Sequence, residues 1–315
     1  MKKTVLLNLL VCLCVSCSPK SALKETAGYC LTGAFLADAP TKSDIARFQS
    51  AYGKKPYLVL VFIDWNSLPD KNVIADVYGS GSALMVSWEP WEAKVKRGID
   101  FQDIYSGKHD RYLTEFSKRL KAIQGEVFVR FAHEMNGNWY PWSGGKIGKE
   151  TFVRTYRYIK DFFDKEKVLN VRWVFSVNWE DVPAESNSFL DYYPGDSYAD
   201  FVGIDGYNWG TTQPWSRWMS FREIFEPRYR EISGRIHKPI LITEFGCAGP
   251  DQDKQHWIRD AMQAMRSLGD IKGFVLFNQD KEADWGFVLG TAAQRELAIQ
   301  LKDPYFKESI REATK

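Results

Sequence analysis

Eight β-rich runs alternate with amphipathic helical stretches along most of this chain, and that alternation constrains the fold more than any other feature. The runs are Tyr29 to Leu36, Tyr57 to Trp65, Ala83 to Glu89, Val127 to Glu134, Val171 to Asn178, Phe201 to Tyr207, Pro239 to Gly246 and Ile271 to Phe277. Between them, segments such as Asp110 to Ile123, Lys149 to Lys165, Phe221 to Ile236 and Lys254 to Leu268 carry apolar residues at three- and four-residue spacing, the period of a helix with one buried face. Eight strands, each leading to a helix, predict an α/β fold closed as a (β/α)8 (TIM) barrel rather than an open sheet. At 315 residues and 44% apolar, the chain has material for one such core.

A barrel of this kind presents its chemistry at the C-terminal ends of the strands. Polar and aromatic residues collect at those points here. The third run ends Ser87-Trp88-Glu89-Pro90-Trp91, and the fifth ends Asn178-Trp179-Glu180. The sixth ends Asp205-Gly206-Tyr207-Asn208-Trp209, and the eighth Phe277-Asn278-Gln279-Asp280. The fourth and seventh end in acids, within Phe131-Ala132-His133-Glu134-Met135-Asn136-Gly137-Asn138-Trp139-Tyr140-Pro141-Trp142 and Thr243-Glu244-Phe245-Gly246. Hydrolysis of a glycosidic bond uses such a combination: two carboxyl groups about the bond, and flat rings that stack on the apolar faces of the sugars.

The stretch around Glu134 resembles the strand-four motif of glycoside hydrolase family 26, His-Glu-Met-Asn-Gly-x-Trp, and the resemblance extends over most of residues 29 to 302. It implies that Glu134 is the general acid/base and that Glu244, in a Thr-Glu-Phe-Gly-like motif, is the nucleophile of a retaining double displacement without a cofactor. It also implies an active-site role for His133, and a hydrogen bond from Tyr207 that orients Glu244. Arg130 shares the alternating face of Glu134 on the fourth run, which places a cation inside the barrel where it needs a carboxylate or carbonyl partner.

Aromatic residues make up 15% of the chain, and 12 of them are Trp, more than a core of this size requires. Trp139, Trp142 and Trp285 are read as sugar platforms, with Trp88 and Trp91 at the other end of the cleft, although burial between loops is the competing reading for each. Asn178 and Asn208 are read as hydroxyl-binding amides beside Asn136 and Asn278, against the competing role of shaping turns.

With 42 basic and 40 acidic residues, the net charge is only +2, so the chain has no electrostatic footprint for nucleic acid. No Gly-rich phosphate loop, zinc-type Cys/His spacing or Gly-x-Ser-x-Gly elbow occurs. Asp251-Gln252-Asp253 lacks the remaining ligands of a calcium loop, so no metal is assigned. The expected partner is a neutral plant-type β-glycan, and the protein is expected to be a monomer.

Residues 1–17 read as an export signal: Met1-Lys2-Lys3, an apolar run from Val5 to Val15, and a lipobox-like end at Cys17, the candidate lipidation site. Residues 18–28 are small and polar, suiting a tether. Residues 29–315 form the predicted catalytic domain, closing in a helical tail. An exported product, either anchored to the cell envelope as a lipoprotein or secreted, is expected, with membrane association only through the lipid. Cys30 and Cys247, bordering apolar strands, are expected to pack as small hydrophobes without a disulfide.

Family 26 contains β-mannanases, mixed-linkage β-1,3-1,4-glucanases and β-1,3-xylanases. Trp139-Tyr140-Pro141-Trp142 departs from the Trp-Phe-Trp-Trp common in the mannanases, and with the Phe277 to Glu282 stretch and Trp285 it resembles the lichenase-type branch. The expected activity is therefore endo-hydrolysis of mixed-linkage β-glucan, with β-1,4-mannan as the alternative. A glycan-binding surface lipoprotein without catalysis is the rival from another class, opposed by the presence of both acids and Tyr207.

Overall fold

The computed structural model describes residues 28–310, so residues 1–27, including Cys17 and nearly all of the tether, lie outside the described residues, as do 311–315. Eight strands close into a parallel barrel. The first, β1, is Cys30–Leu31 and Gly33–Phe35, interrupted at Thr32. It is followed by β2 (Leu58–Asp64), β3 (Ala83–Glu89), β4 (Val127–Phe131), β5 (Val171–Asn178), β6 (Phe201–Asn208), β7 (Ile240–Cys247) and β8 (Ile271–Phe277). Each strand pairs with the next, and β8 pairs with both β7 and β1, which leaves no open edge in the ring. All eight predicted runs are therefore barrel strands.

Among the described residues, helices of 9 or more residues follow seven of the strands: α1 (Lys42–Tyr52), α2 (Lys71–Gly79), α3 (Asp110–Lys121), α4 (Lys149–Lys165), α5 (Phe221–Arg235), α6 (Asp251–Leu268) and α7 (Ala292–Gln300). Capping boxes start two of them, Thr41 with Asp44 and Ser220 with Glu223, each satisfying backbone donors that the first turn leaves free. The expectation of a helix after every strand fails at β5. That strand leads only to a 3-10 turn at Phe189–Tyr192, in a segment broken by Pro183, Pro194 and Gly195. After α7 the chain returns as a short strand, Phe306–Lys307, which pairs in parallel with Cys30–Leu31 beneath the barrel edge.

Two apolar layers hold the barrel. Leu84, Val86 and Trp88 of β3 join Val129 and Phe131 of β4 and Ile240 and Ile242 of β7 in the layer between strands and helices. Ala83, Met85, Phe128, Val174, Leu241 and Val275 fill the inside. This is the period-two alternation of a strand buried on both faces, and it decides which residues reach the mouth. Toward that mouth the interior turns polar, with Arg130, Ser176, Asp205 and Thr243 all buried. Gly203 makes room for them: a Cβ there would lie 2.5 Å from Thr243 Oγ1 and 2.7 Å from Ser176 Oγ.

Candidate active site

Two local departures from regular strand geometry aim the two acids. β4 stops at Phe131, short of the predicted Glu134, because Ala132 and Glu134 adopt left-handed backbone conformations, with φ of 50° and 55°. Neighbouring strands over-determine this costly conformation: Ala132 N donates to Trp88 O at 3.0 Å and Glu134 N to Ser176 O at 3.0 Å. On β7, Ile242 and Phe245 both belong to the helix-facing layer, so two residues, Thr243 and Glu244, point inward between them. The pairing register of β7 with β6 shifts at this point, between Ile242 and Glu244. A bulge thus turns Glu244 toward the barrel axis, where strict alternation from Ile240 and Ile242 would send it outward.

The two carboxyl groups meet opposite environments. Glu244 Oε1 accepts from Arg130 Nη1 at 2.9 Å and Oε2 from Tyr207 Oη at 2.5 Å, so each oxygen has a donor. Arg130 is fully buried and is fixed on its other side by an ion pair with Asp205. Asp205 also accepts from Thr243 Oγ1 at 2.7 Å and Ser176 Oγ at 3.1 Å. Burial pushes the Asp205 carboxyl up to about 7, against the pull of Arg130. The partner that Arg130 required is therefore double, one carboxylate at the reacting centre and one beneath it.

Glu134 receives a single side-chain bond, from Trp139 Nε1 at 2.9 Å. Burial raises its pKa well above the ordinary carboxylate range, and the negative charges of Asp205 and Glu244 raise it further, outweighing Trp139 and Arg130. One acid thus sits buried with a raised pKa while its neighbour accepts a bond on each oxygen, an asymmetry suited to an acid/base beside a nucleophile. Gly137 permits the Trp139 contact, since a Cβ there would come within 2.5 Å of the indole.

Both glutamates open into one cleft of about 910 Å³, walled by Trp139, Tyr140, Trp179, Tyr207, Trp209, Trp215 and Trp285. A second depression of about 610 Å³ lies along the outer face of α4, beside Lys149, Arg154 and Tyr198, and contains none of these strand-end residues. Of the candidates from sequence, Glu134, Glu244, Tyr207, Trp139, Asn178 and Trp285 line the cleft. Asn178 Nδ2 donates to Glu180 O at 2.7 Å, so its amide already serves the loop it begins.

Five expectations need correction. Trp285 is fully buried, 4.7 Å from both Tyr207 and Trp209, so it backs the cleft wall and offers no sugar platform. Trp88 is no platform: it is fully buried in the helix-facing layer, stacked 4.0 Å from Phe116 and 5.0 Å from Trp65, because it shares the strand face of Leu84 and Val86. Trp142 is covered by Tyr140, their rings 4.1 Å apart and nearly parallel, and its Nε1 donates to His133 O at 2.7 Å. His133 is buried and stands behind the wall, its Nε2 3.2 Å from Tyr140 Oη. Burial, reinforced by the positive charge of Arg130, lowers its pKa well below the usual value, so it is neutral. Asn208 shares the outward face of Val202 and Ile204 and is buried. Its Oδ1 accepts from Gly210 N at 3.1 Å and Met219 N at 3.0 Å, and its Nδ2 meets Cys247 Sγ at 3.4 Å. Cys247 and Cys30 are free thiols in the apolar layer.

The cleft also holds residues that sequence reasoning did not select. Tyr140 takes the wall position expected of His133 and Trp142, and Trp179 adds an indole after β5. Lys281 lies over Phe62 and Phe277 at 5.4 and 5.7 Å from their ring centres, bringing a cation to the β8 side. The available signal was a Trp just after two strand ends, as at Trp179 and Trp209, while Tyr140 lay within the Trp139-Tyr140-Pro141-Trp142 motif and Lys281 in the loop after β8, neither of them singled out as a cleft residue.

Tyr207→Phe tests the electrostatic division directly. It removes one donor to Glu244 and little volume, so rate falls about 10- to 1,000-fold while the melting temperature stays near that of the parent, as measured by steady-state kinetics and thermal unfolding. Undiminished turnover would rule out a role for that hydroxyl.

The model of the family described as glycosyl hydrolase family 26 matches residues 99–272. Endoglucanase H of Acetivibrio thermocellus is 40% identical over 261 residues, covering 80% of this chain and 28% of that protein. A mannan endo-1,4-beta-mannosidase of Bacillus subtilis is 34% identical over 173 residues, covering 50% of this chain and 41% of the relative. The chain thus spans well under half the length of these curated relatives. An endo-β-1,4-mannanase structure from Cellulomonas fimi superposes with a TM-score of 0.65 at 18% identity, covering 90% of this chain and 72% of that one, which supports the barrel. On the family match and the identity to Endoglucanase H, this chain belongs to glycosyl hydrolase family 26.

Proposed function

We propose that this protein is a retaining endo-β-glycanase whose preferred substrate is mixed-linkage β-1,3-1,4-glucan. The observation that carries the reading is the pair of unlike carboxyl groups in one aromatic cleft, Glu134 buried with a raised pKa and Glu244 bonded by Arg130 and Tyr207. Glu244 attacks the anomeric carbon while Glu134 gives its proton to the glycosidic oxygen, and the leaving sugar departs as an alcohol. Glu134, now anionic, takes a proton from water, whose oxygen attacks the same carbon and releases Glu244. Two inversions return the original configuration.

Arg130 and Tyr207 lower the cost of charge on Glu244 in both the free enzyme and the departing carboxylate of the second step. The choice of glucan is supported by the identity to Endoglucanase H over 80% of the chain, and by Tyr140-Pro141 where a Phe-Trp pair is common in mannanases. β-1,4-Mannan is the second reading, supported by relatives named as mannan endo-1,4-beta-mannosidases. The proposal includes export with Cys17 as the lipidated residue, on the sequence of residues 1–17 alone.

The test is product release from barley β-glucan, lichenan, galactomannan, glucomannan, β-1,3-xylan and carboxymethylcellulose at equal enzyme dose. The two mixed-linkage glucans should be cut into short oligosaccharides with kcat/KM at least roughly tenfold above galactomannan, since the two sugars differ at one hydroxyl. Preferred cleavage of galactomannan would transfer the assignment to mannan and leave the two-glutamate chemistry in place. No release from any of them would end the hydrolase reading.

A further inference from the structure

The loop after β6 carries Trp215, 70% exposed, at the rim of the cleft. Trp215 is no isolated surface ring: it adjoins Trp209 in the lining of the cleft, and apolar surface continuous with a groove marks a ligand site. The aromatic residues behind it form a continuous run from the reacting centre. Tyr207, bonded to Glu244, packs 4.7 Å from Trp285; Trp285 meets Trp209 edge-on at 4.7 Å; and Trp209 meets Trp215 edge-on at 5.3 Å.

The loop is exposed but tied. Asn208 Oδ1 holds both of its ends, at Gly210 N and Met219 N. At its tip Ser216 Oγ accepts from Gln213 N at 3.2 Å and reaches Gly210 O at 2.9 Å, and Thr212 Oγ1 donates to Trp209 O at 2.7 Å. Pro214, immediately before Trp215, has its own φ locked by its ring. A ring fixed in this way loses little freedom when a ligand covers it, so the contact is expressed as affinity.

We propose that Trp215 is a distal sugar platform, which binds a unit of a neutral β-glycan chain remote from the bond being cut and gives the enzyme its preference for long substrates. This rests on the hydrolase reading above. Trp209, backed by the buried Trp285, continues the same wall toward the reacting centre, and Trp215 is engaged only by substrates long enough to reach the rim. The assignment also gives Asn208 its role: it positions the loop and does not touch sugar.

The experiment compares the full chain with Trp215→Ala and Trp215→Phe on gluco-oligosaccharides of increasing length and on a short aryl β-glycoside. Loss of one stacked indole should lower kcat/KM on the longest oligosaccharides by about 5- to 30-fold, mostly through KM, the range for removing one well-packed aromatic contact. The aryl glycoside should be hydrolysed at the parental rate, and Phe should restore part of the loss. A deficit equal at every length, or none at any length, would overturn the platform while leaving the hydrolase reading intact. A parent protein that cleaves no glycoside would remove both.

Discussion

Glu244→Ala should abolish turnover on polysaccharide and aryl glycoside alike, with kcat falling on the order of 10⁴- to 10⁶-fold, the scale for deleting a covalent nucleophile. No leaving group compensates for the loss, since the bond to the anomeric carbon forms in the first step whatever departs. The variant also leaves Arg130 with Asp205 as its remaining carboxylate partner, so folding must be checked by circular dichroism alongside the rates. A 2-fluoroglycoside inactivator, which traps the glycosyl-enzyme, should label Glu244 in the parent. A label on Asp205 or Glu89 would refute the assignment. Asp205 is fully buried and saturated by Arg130, Ser176 and Thr243. Glu89 is buried at the end of β3, where it accepts from Trp91 Nε1 at 3.0 Å and burial pushes it up to about 7.

Glu134→Ala should separate substrates by leaving group. On β-glucan the loss is about 10²- to 10⁴-fold, the contribution of a positioned general acid, because a sugar alkoxide does not depart unprotonated. On a dinitrophenyl glycoside the first step needs no proton and survives. Water activation is then limiting, and azide, which needs no base, should restore rate. The pH dependence follows with a definite sign. Burial and the neighbouring carboxylates raise the Glu134 pKa, so the acid form persists above the usual carboxylate range, and activity on β-glucan is lost as pH rises through that raised value. The alkaline limb governed by Glu134 should be absent from the variant's profile on the activated substrate. Equal losses on both substrates without an azide effect would exclude the acid/base role.

Much of this arrangement was legible in the chain itself. Arg130 inside the barrel, Tyr207 bonded to Glu244 and the eight strand runs all follow from period-two alternation and from the motifs at the strand ends. The same alternation, applied more strictly, excludes two of the residues that were expected in the cleft. Trp88 continues the outward face of Leu84 and Val86, and Asn208 that of Val202 and Ile204. Being a Trp or Asn at a strand end did not override parity. Trp142 and His133 failed for a different reason, since both lie beyond the last strand residue, Phe131, where no period applies and Tyr140 covers them.

By itself, the sequence determined the barrel, because alternating strand and helix periods with this length admit few closed packings, and it singled out Glu134 and Glu244 as candidate acids, because each sits in a motif at a strand end. Only the tertiary structure decided where those acids point. Glu244 is an even step from Ile240 and Ile242 and by local pattern would face the helices. The register shift against β6 turns it inward, and such a shift is set by hydrogen bonds to neighbouring strands rather than by residues beside it in the chain. Glu134 likewise depends on left-handed backbone at Ala132 and Glu134, held by carbonyls of Trp88 and Ser176 that are distant in sequence. The raised pKa of Glu134 shares that origin, because its burial and the neighbouring carboxylates of Asp205 and Glu244 exist only once the strands have met.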